Sequence, residues 1–286
     1  MLSLADIEIA ELLSGIESKK ISSNLGFFSK PFRIDHSGKE LIVKIYLPVK
    51  NNSRVISIIE NHNNYIKELR STGIKIPDTL ITTRKVNNKH QLIIIQEAFQ
   101  DSELLRNLMQ KTSGSELTGL CEKIFDDTMK FWTNRDVSKD IGFHPTLRNY
   151  FLHNSELYYI DTFPPMLMKQ SNLNSLILFM SPHGSMLKKI IPLRFLNRVS
   201  DEYFNLDKML TGIAGSCCRL NPDDASEILA FSNEYVRKSV LLSEKERESI
   251  LNSLQEPPKL SRIWVLIRKL SGNTGKPNIK TVHGKK

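Results

Sequence analysis

Hydrophobic and polar positions follow two regimes along the chain. Up to about residue 100 the apolar residues come mostly in short β-branched runs; beyond Asp101 they recur at helical spacing. At the start, Leu4, Ile7, Leu12 and Ile16 predict a short amphipathic helix reaching about residue 20. The segment KPFRIDHSGKELIVKIYLP reads as two strands around Asp35-His36-Ser37-Gly38, which carries hairpin turn chemistry, and Pro48 with Asn51-Asn52 closes the unit. In SRVISIIENHNNYIKELRSTG, Val55, Ile58, Ile59, Ile66 and Leu69 share one broad face, with Gly73 as the helix stop. Pro77 opens an extended piece, DTLITTRKV, which Asn87-Asn88 separates from the strongly β run QLIIIQEAF.

After Asp101 the clearest helix is Ser115 to Trp132, with Leu117, Leu120, Ile124, Met129 and Phe131 apolar. A polar loop, GFHPTLRN, precedes two short strands, YFLH and ELYYID, joined at Asn154-Ser155; beyond Pro165 the pattern is mostly helical. Strands first, then helices around one small hairpin, predict an α+β protein of two unequal lobes. The expected division is a mostly β N-terminal lobe over 1–100 and a helical lobe over 101–270 that holds the hairpin at 142–165. A basic tail over 271–286 is expected to be disordered. No internal repeat or low-complexity tract interrupts this order.

Composition narrows the class without changing that picture. The 286 residues suffice to bury a sizeable core, and 40% hydrophobic with 25% charged residues is ordinary for a soluble globular protein. No apolar run approaches the roughly 20 residues of a membrane span, and the first residues carry acids where an export signal would carry bases. Three cysteines, Cys217 and Cys218 adjacent, give neither a disulfide framework nor metal-ligand spacing, so a reducing cytoplasm is expected. The net charge is +9, but eight basic residues and no acids lie from Pro257 onward, which leaves about +1 for the rest. Those bases are not interleaved with stacking aromatics, which argues against nucleic acid as a partner. KLSRIWVLIRKL, residues 259–270, could form a basic amphipathic helix on an anionic membrane. The favoured reading is a last helix docked on the larger lobe.

Chemistry concentrates at three positions. Lys44 lies in the middle of the apolar strand IVKIY, where it either points to solvent or meets the following helix, which carries Glu60. An ion pair between them would hold the ammonium where nucleotide phosphates could meet it. Asn149 stands just before one strand of the small hairpin and Asp161, 12 residues later, just past the other. Pairing of those strands lets the two side chains converge. An amide oxygen and a carboxylate are the hard ligands that Mg²⁺ bound to phosphates prefers; the alternative is an Asn and an Asp that merely shape turns.

Strand lysine, helix glutamate, an apolar strand and then N-(strand)-(strand)-D is an order that resembles the protein-kinase-like superfamily. It is most similar to the small-molecule branch of aminoglycoside and choline phosphotransferases. ELRSTGIKIPDTL is similar to the segment after the second-lobe-facing helix in that branch. The resemblance spans about residues 20 to 165 and implies ATP and Mg²⁺ as cofactors. It places Lys44 on the phosphates with Glu60 as partner, though Glu68 or His62 could be aligned instead. QLIIIQEAF becomes the strand entering the hinge, with Gln96 and Glu97 beside the nucleotide, and Asn149 and Asp161 become the metal pair.

Two departures stand out. Where members of that superfamily usually carry an aspartate five residues before the metal-binding asparagine, this chain has His144. An imidazole can accept a proton from a substrate hydroxyl but cannot copy a carboxylate's charge. Asp140 is a nearby alternative. The Gly-rich motif is also missing; Ser22-Ser23-Asn24-Leu25-Gly26 is the best phosphate-covering turn. Arg148 could contact phosphate or a substrate carboxylate, although a surface or structural role is commoner for such an arginine. The function implied is an ATP- and Mg-dependent phosphotransferase acting on a hydroxyl or amine of a small metabolite. The alternatives are a nucleotide-binding pseudokinase and a nucleotidyl transferase of the same fold. Acceptor specificity is expected within 166–256, and the sequence carries no sign of oligomeric state.

Overall fold

A computed structural model describes residues 6–17, 29, 31–50, 52–167, 173, 176, 197 and 201–259. Helix α1 (Asp6–Glu17) leads to strands β1 (Pro31–His36) and β2 (Lys39–Ile45). Helix α2 (Asn52–Ser71) follows, then β3 (Thr79–Val86) and β4 (Lys89–Glu97). These strands form one antiparallel sheet in the order β1-β2-β4-β3. Ser37-Gly38 joins β1 to β2 and Asn87-Asn88 joins β3 to β4, all four residues at positive φ between 48° and 74°. Two consecutive left-handed residues match the right-handed twist of the flanking strands, and Gly or Asn adopts them at least cost. The two hairpins therefore form where local turn chemistry places them.

A helix covers each face of the sheet. Leu12 and Leu13 of α1 pack on Leu41, Val43, Ile93 and Ile95; Val55 and Ile58 of α2 pack with Ile81, Leu92 and Ile94. Consecutive residues of β4 thus bury to opposite sides, which is why its sequence is a continuous apolar run instead of an alternation. Each fully buried Ile or Leu contributes about 1.5–3 kcal/mol. Lys44 lies opposite Ile94 in the register and so shares the α2 face.

The C-terminal half of α2 leaves the sheet. Its Tyr65, Ile66 and Leu69 belong to a second and larger core, shared with α4 (Gly114–Asn134) and α5 (Leu206–Leu220), to which α6 (Ala225–Lys238) and α7 (Glu244–Ser253) also contribute. Helix α2 is therefore the element common to both cores. A short helix α3 (Leu105–Met109) precedes α4. α4 buries Leu117, Leu120, Cys121, Ile124, Phe125, Thr128 and Met129 at three- and four-residue steps. Between α4 and α5 lies the two-stranded sheet β5 (Tyr150–His153) and β6 (Glu156–Tyr159), turned at Asn154-Ser155 with φ of 49° and 65°. The protein is α+β, an antiparallel sheet region followed by a helical one. Among the described residues no helix is long and apolar enough to cross a membrane. The expected phosphate turn at Ser22 and Ser23, and the tail beyond Lys259, lie outside the described residues.

Candidate functional site

Pairing of β5 with β6 sets Tyr150 opposite Tyr159, and the residues beyond both strand ends stay together: the Ile160 N–H donates to the Asn149 carbonyl at 2.8 Å. Asn149 and Asp161 are thereby brought side by side, near enough for the Asn149 amide to pull the Asp161 carboxyl down. The same amide donates from Nδ2 to the carbonyl of His144 at 3.0 Å, so the loop 144–149 is closed on its own last residue. Lys44 arrives from β2 and donates from Nζ to the Ile160 carbonyl at 3.1 Å. Three groups from the sheet, the loop and the hairpin end thus meet at one place.

Their electrostatics are mutual. Burial raises the Asp161 carboxyl, and the Lys44 cation and the Asn149 amide pull it back. Burial lowers Lys44, and the Asp161 charge opposes that. Four tyrosines feel Asp161: burial pushes up the hydroxyls of Tyr46, Tyr65, Tyr159 and Tyr203, and the Asp161 charge adds to it, directly after burial at Tyr46 and Tyr65 and after the contributions of Tyr65 at Tyr159 and of Glu202 at Tyr203. The phenols are buried and Lys44 and Asp161 half-buried, which magnifies the interaction between the two charges relative to bulk water. Asn149 and Asp161 supply two hard oxygen donors. No group of three or more His, Cys, Asp or Glu among the described residues could hold a metal unaided. A metal here would complete its shell with phosphate and water, as Mg²⁺ does.

His144 lies five residues before Asn149, half-buried, with its ring 4.5 Å from that of Tyr203. Burial lowers it to about 4, so the imidazole is neutral at physiological pH. Asp140 is exposed and Arg148 half-buried. Gln96 is buried with its side-chain amide donating to Thr79 Oγ1 at 3.1 Å, which turns it into the sheet. Glu97 is exposed at the end of β4, its N–H bonded to the Asp78 carbonyl.

The expected pair of Lys44 with Glu60 is not formed. Glu60 is exposed, and Glu68 accepts from Lys139 at 2.6 Å. Helical phase explains this. Val55, Ile58, His62, Tyr65 and Leu69 step by three and four residues along the buried side of α2, and position 60 falls outside that stripe. The residue on α2 that senses the lysine is His62, which burial and then the Lys44 charge lower to about 3. Its Nε2 shares a 2.9 Å hydrogen bond with Thr162 Oγ1, the residue after Asp161. Phe163 follows, its ring 4.4 Å from Tyr46 and 6.2 Å from His62. Tyr65 donates to the Gly142 carbonyl at 2.9 Å. A histidine within an apolar stripe was the available signal for His62, whereas Tyr203 reaches the site across too many residues for spacing to disclose it.

A profile described as a family of unknown function, DUF6206, matches residues 11–275. No curated protein matches the sequence. Among solved structures, the chain is similar to "WaaP in complex with acyl carrier protein" at 16% identity and a TM-score of 0.42, over 86% of this chain and 93% of that one. It is also similar to the MAP kinase LmaMPK10 from Leishmania major at 11% identity and a TM-score of 0.33, over 96% and 90% of the respective chains.

Proposed function

The chain belongs to the DUF6206 family, whose description assigns no activity, and from the site itself we propose an ATP- and Mg-dependent phosphotransferase acting on a hydroxyl or amine of a small metabolite. The observation that carries this reading is the meeting of Lys44, Asn149 and Asp161, contributed by separate segments, in one half-buried place. A cation beside an amide and carboxylate pair is a complementary surface for a metal-chelated polyphosphate. Lys44 would neutralise phosphate oxygens, and Asn149 and Asp161 would hold the metal. Bound Mg²⁺ would supply charge neutralisation on the transferring group. His144 would orient the acceptor, its neutral imidazole accepting the hydroxyl hydrogen, while the surrounding tyrosines exclude water.

One observation favours a second reading. An imidazole lowered to about 4 is a weak base, so the same site could bind nucleotide without turnover. The test is calorimetric titration with ATP, with and without Mg²⁺, followed by nucleotide product analysis with candidate acceptors. Mg-dependent binding with ADP formation supports the phosphotransferase. Mg-dependent binding without turnover selects the second reading, and no nucleotide binding sinks both.

A further inference from the structure

Helix α2 reaches the segment 139–162 through three side chains spaced three residues apart. His62 meets Thr162 at 2.9 Å, Tyr65 meets Gly142 at 2.9 Å and Glu68 meets Lys139 at 2.6 Å. The third contact is at the surface and contributes little. The first two are buried, and they touch the two chain segments on either side of the hairpin that carries Asn149 and Asp161.

His62 is an expensive choice for this position. It is 0% exposed, and its Nδ1 is buried without a hydrogen-bond partner. It also stands close enough to Lys44 to feel its charge. A neutral imidazole cannot be a counter-ion, so Asp161 is the opposite charge that Lys44 feels. On stability alone an apolar residue would serve better among Val55, Ile58, Tyr65 and Leu69, since a buried unsatisfied nitrogen costs free energy.

We propose that His62 is a positioning residue of this site: its hydrogen bond to Thr162 fixes the segment carrying Asp161 against α2, and so sets where that carboxylate lies relative to Lys44 and Asn149. The inference rests on the reading of Lys44, Asn149 and Asp161 as a nucleotide-metal site. In place of an acidic residue on the helix that reaches the lysine, this chain uses a neutral tie one residue beyond the aspartate.

The test pairs affinity with stability. In His62→Leu/Thr162→Val both polar partners are gone, so no orphan is left by removing only one. The variant should melt at or above the wild-type temperature without ligand, yet bind Mg-ATP about three- to tenfold more weakly. His62→Gln, whose amide can still meet the Thr162 hydroxyl, should recover most of that affinity. If the double variant does not fold, Thr162→Val alone, which orphans the imidazole and lowers stability in any case, is judged by its Mg-ATP affinity against that of Thr162→Ser, which keeps the hydroxyl. Wild-type affinity in the variant with the tie removed overturns the proposal, as does a parallel loss of stability and affinity that His62→Gln does not rescue. Asp161→Asn run alongside separates the two levels. If it too binds Mg-ATP like the wild type, the site reading itself has failed; if it loses binding while the tie variants keep it, only His62 is misassigned.

Discussion

Two aspartates, Asp161 and Asp127, are pushed up by burial, and the contrast between them shows what makes a buried carboxylate chemically useful. Asp127 lies on α4 and is raised to about 6. Its charge neighbours, Lys130 and Asp126, come from its own helix. A cavity of about 200 Å³ beside it is lined by Lys123, Asp126, Asp127, Lys130, Ser155 and Leu157, away from Lys44 and Asp161. The Tyr150 phenol is near enough to pull the carboxyl down, yet neither that hydroxyl nor Asp127 Oδ2 has a partner at hydrogen-bond geometry. Asp161 instead lies within electrostatic reach of a cation from β2 and an amide from the 144–149 loop, and both pull its carboxyl down. Both carboxyls are desolvated, but only at Asp161 do complementary groups from distant segments converge. A raised pKa alone does not mark a site; convergence does.

The largest effect should come from the convergent member of the pair. Asp161→Asn is expected to lower nucleotide turnover about 10³-fold or more, on the scale of removing a preorganised electrostatic group, with the helical content of the protein unchanged by circular dichroism. Asp127→Asn should leave turnover as it was. If the two variants lose activity equally, the contrast is wrong. An intermediate effect belongs to His144→Ala: turnover should fall about 10²-fold, the lower range of general-base contributions, with Mg-ATP affinity kept. An unchanged rate would remove His144 from the acceptor's path.

The smallest effect sharpens the contrast from the other side. Because the folded-state pKa of Asp127 is raised above its ordinary 3.8 to about 6, ionising it costs stability, and that cost grows as pH rises through the window between them. Asp127→Asn should therefore raise the melting temperature by a few degrees at pH 7.5 and gain nothing near pH 4, measured by calorimetric scans at both. A gain that persists at pH 4 would mean that burial of its charge is not what destabilises Asp127.

Much of the fold was legible because it is local. Ser37-Gly38, Asn87-Asn88 and Asn154-Ser155 sit where strands must reverse, and their left-handed φ values are those that two-residue hairpins require. The helix expected over Ser115–Trp132 runs from Gly114 to Asn134. The approach of Asn149 to Asp161 was readable for the same reason, since only a short hairpin separates them. The residue that α2 turns toward Lys44 was not. Glu60 and His62 differ by two positions on α2, and choosing between them requires knowing which side of the helix is buried. That side is shared between two cores, Val55 and Ile58 against the sheet and Tyr65 and Leu69 within the helical region, and charge complementarity alone pointed to the exposed glutamate. Tyr203, whose ring packs on His144, comes from well beyond the hairpin, and nothing local announces such a contact.

In the proposed site the Lys44 ammonium faces bound phosphate. An acyl-phosphate analogue of ATP, which acylates a lysine lying against the phosphates, tests it with the unmodified protein. Peptide mass analysis should find Lys44 as the main acylated lysine, with the label suppressed by excess Mg-ATP. Labelling spread over surface lysines, or label on Lys44 that Mg-ATP does not diminish, would mean that Lys44 does not line a phosphate site.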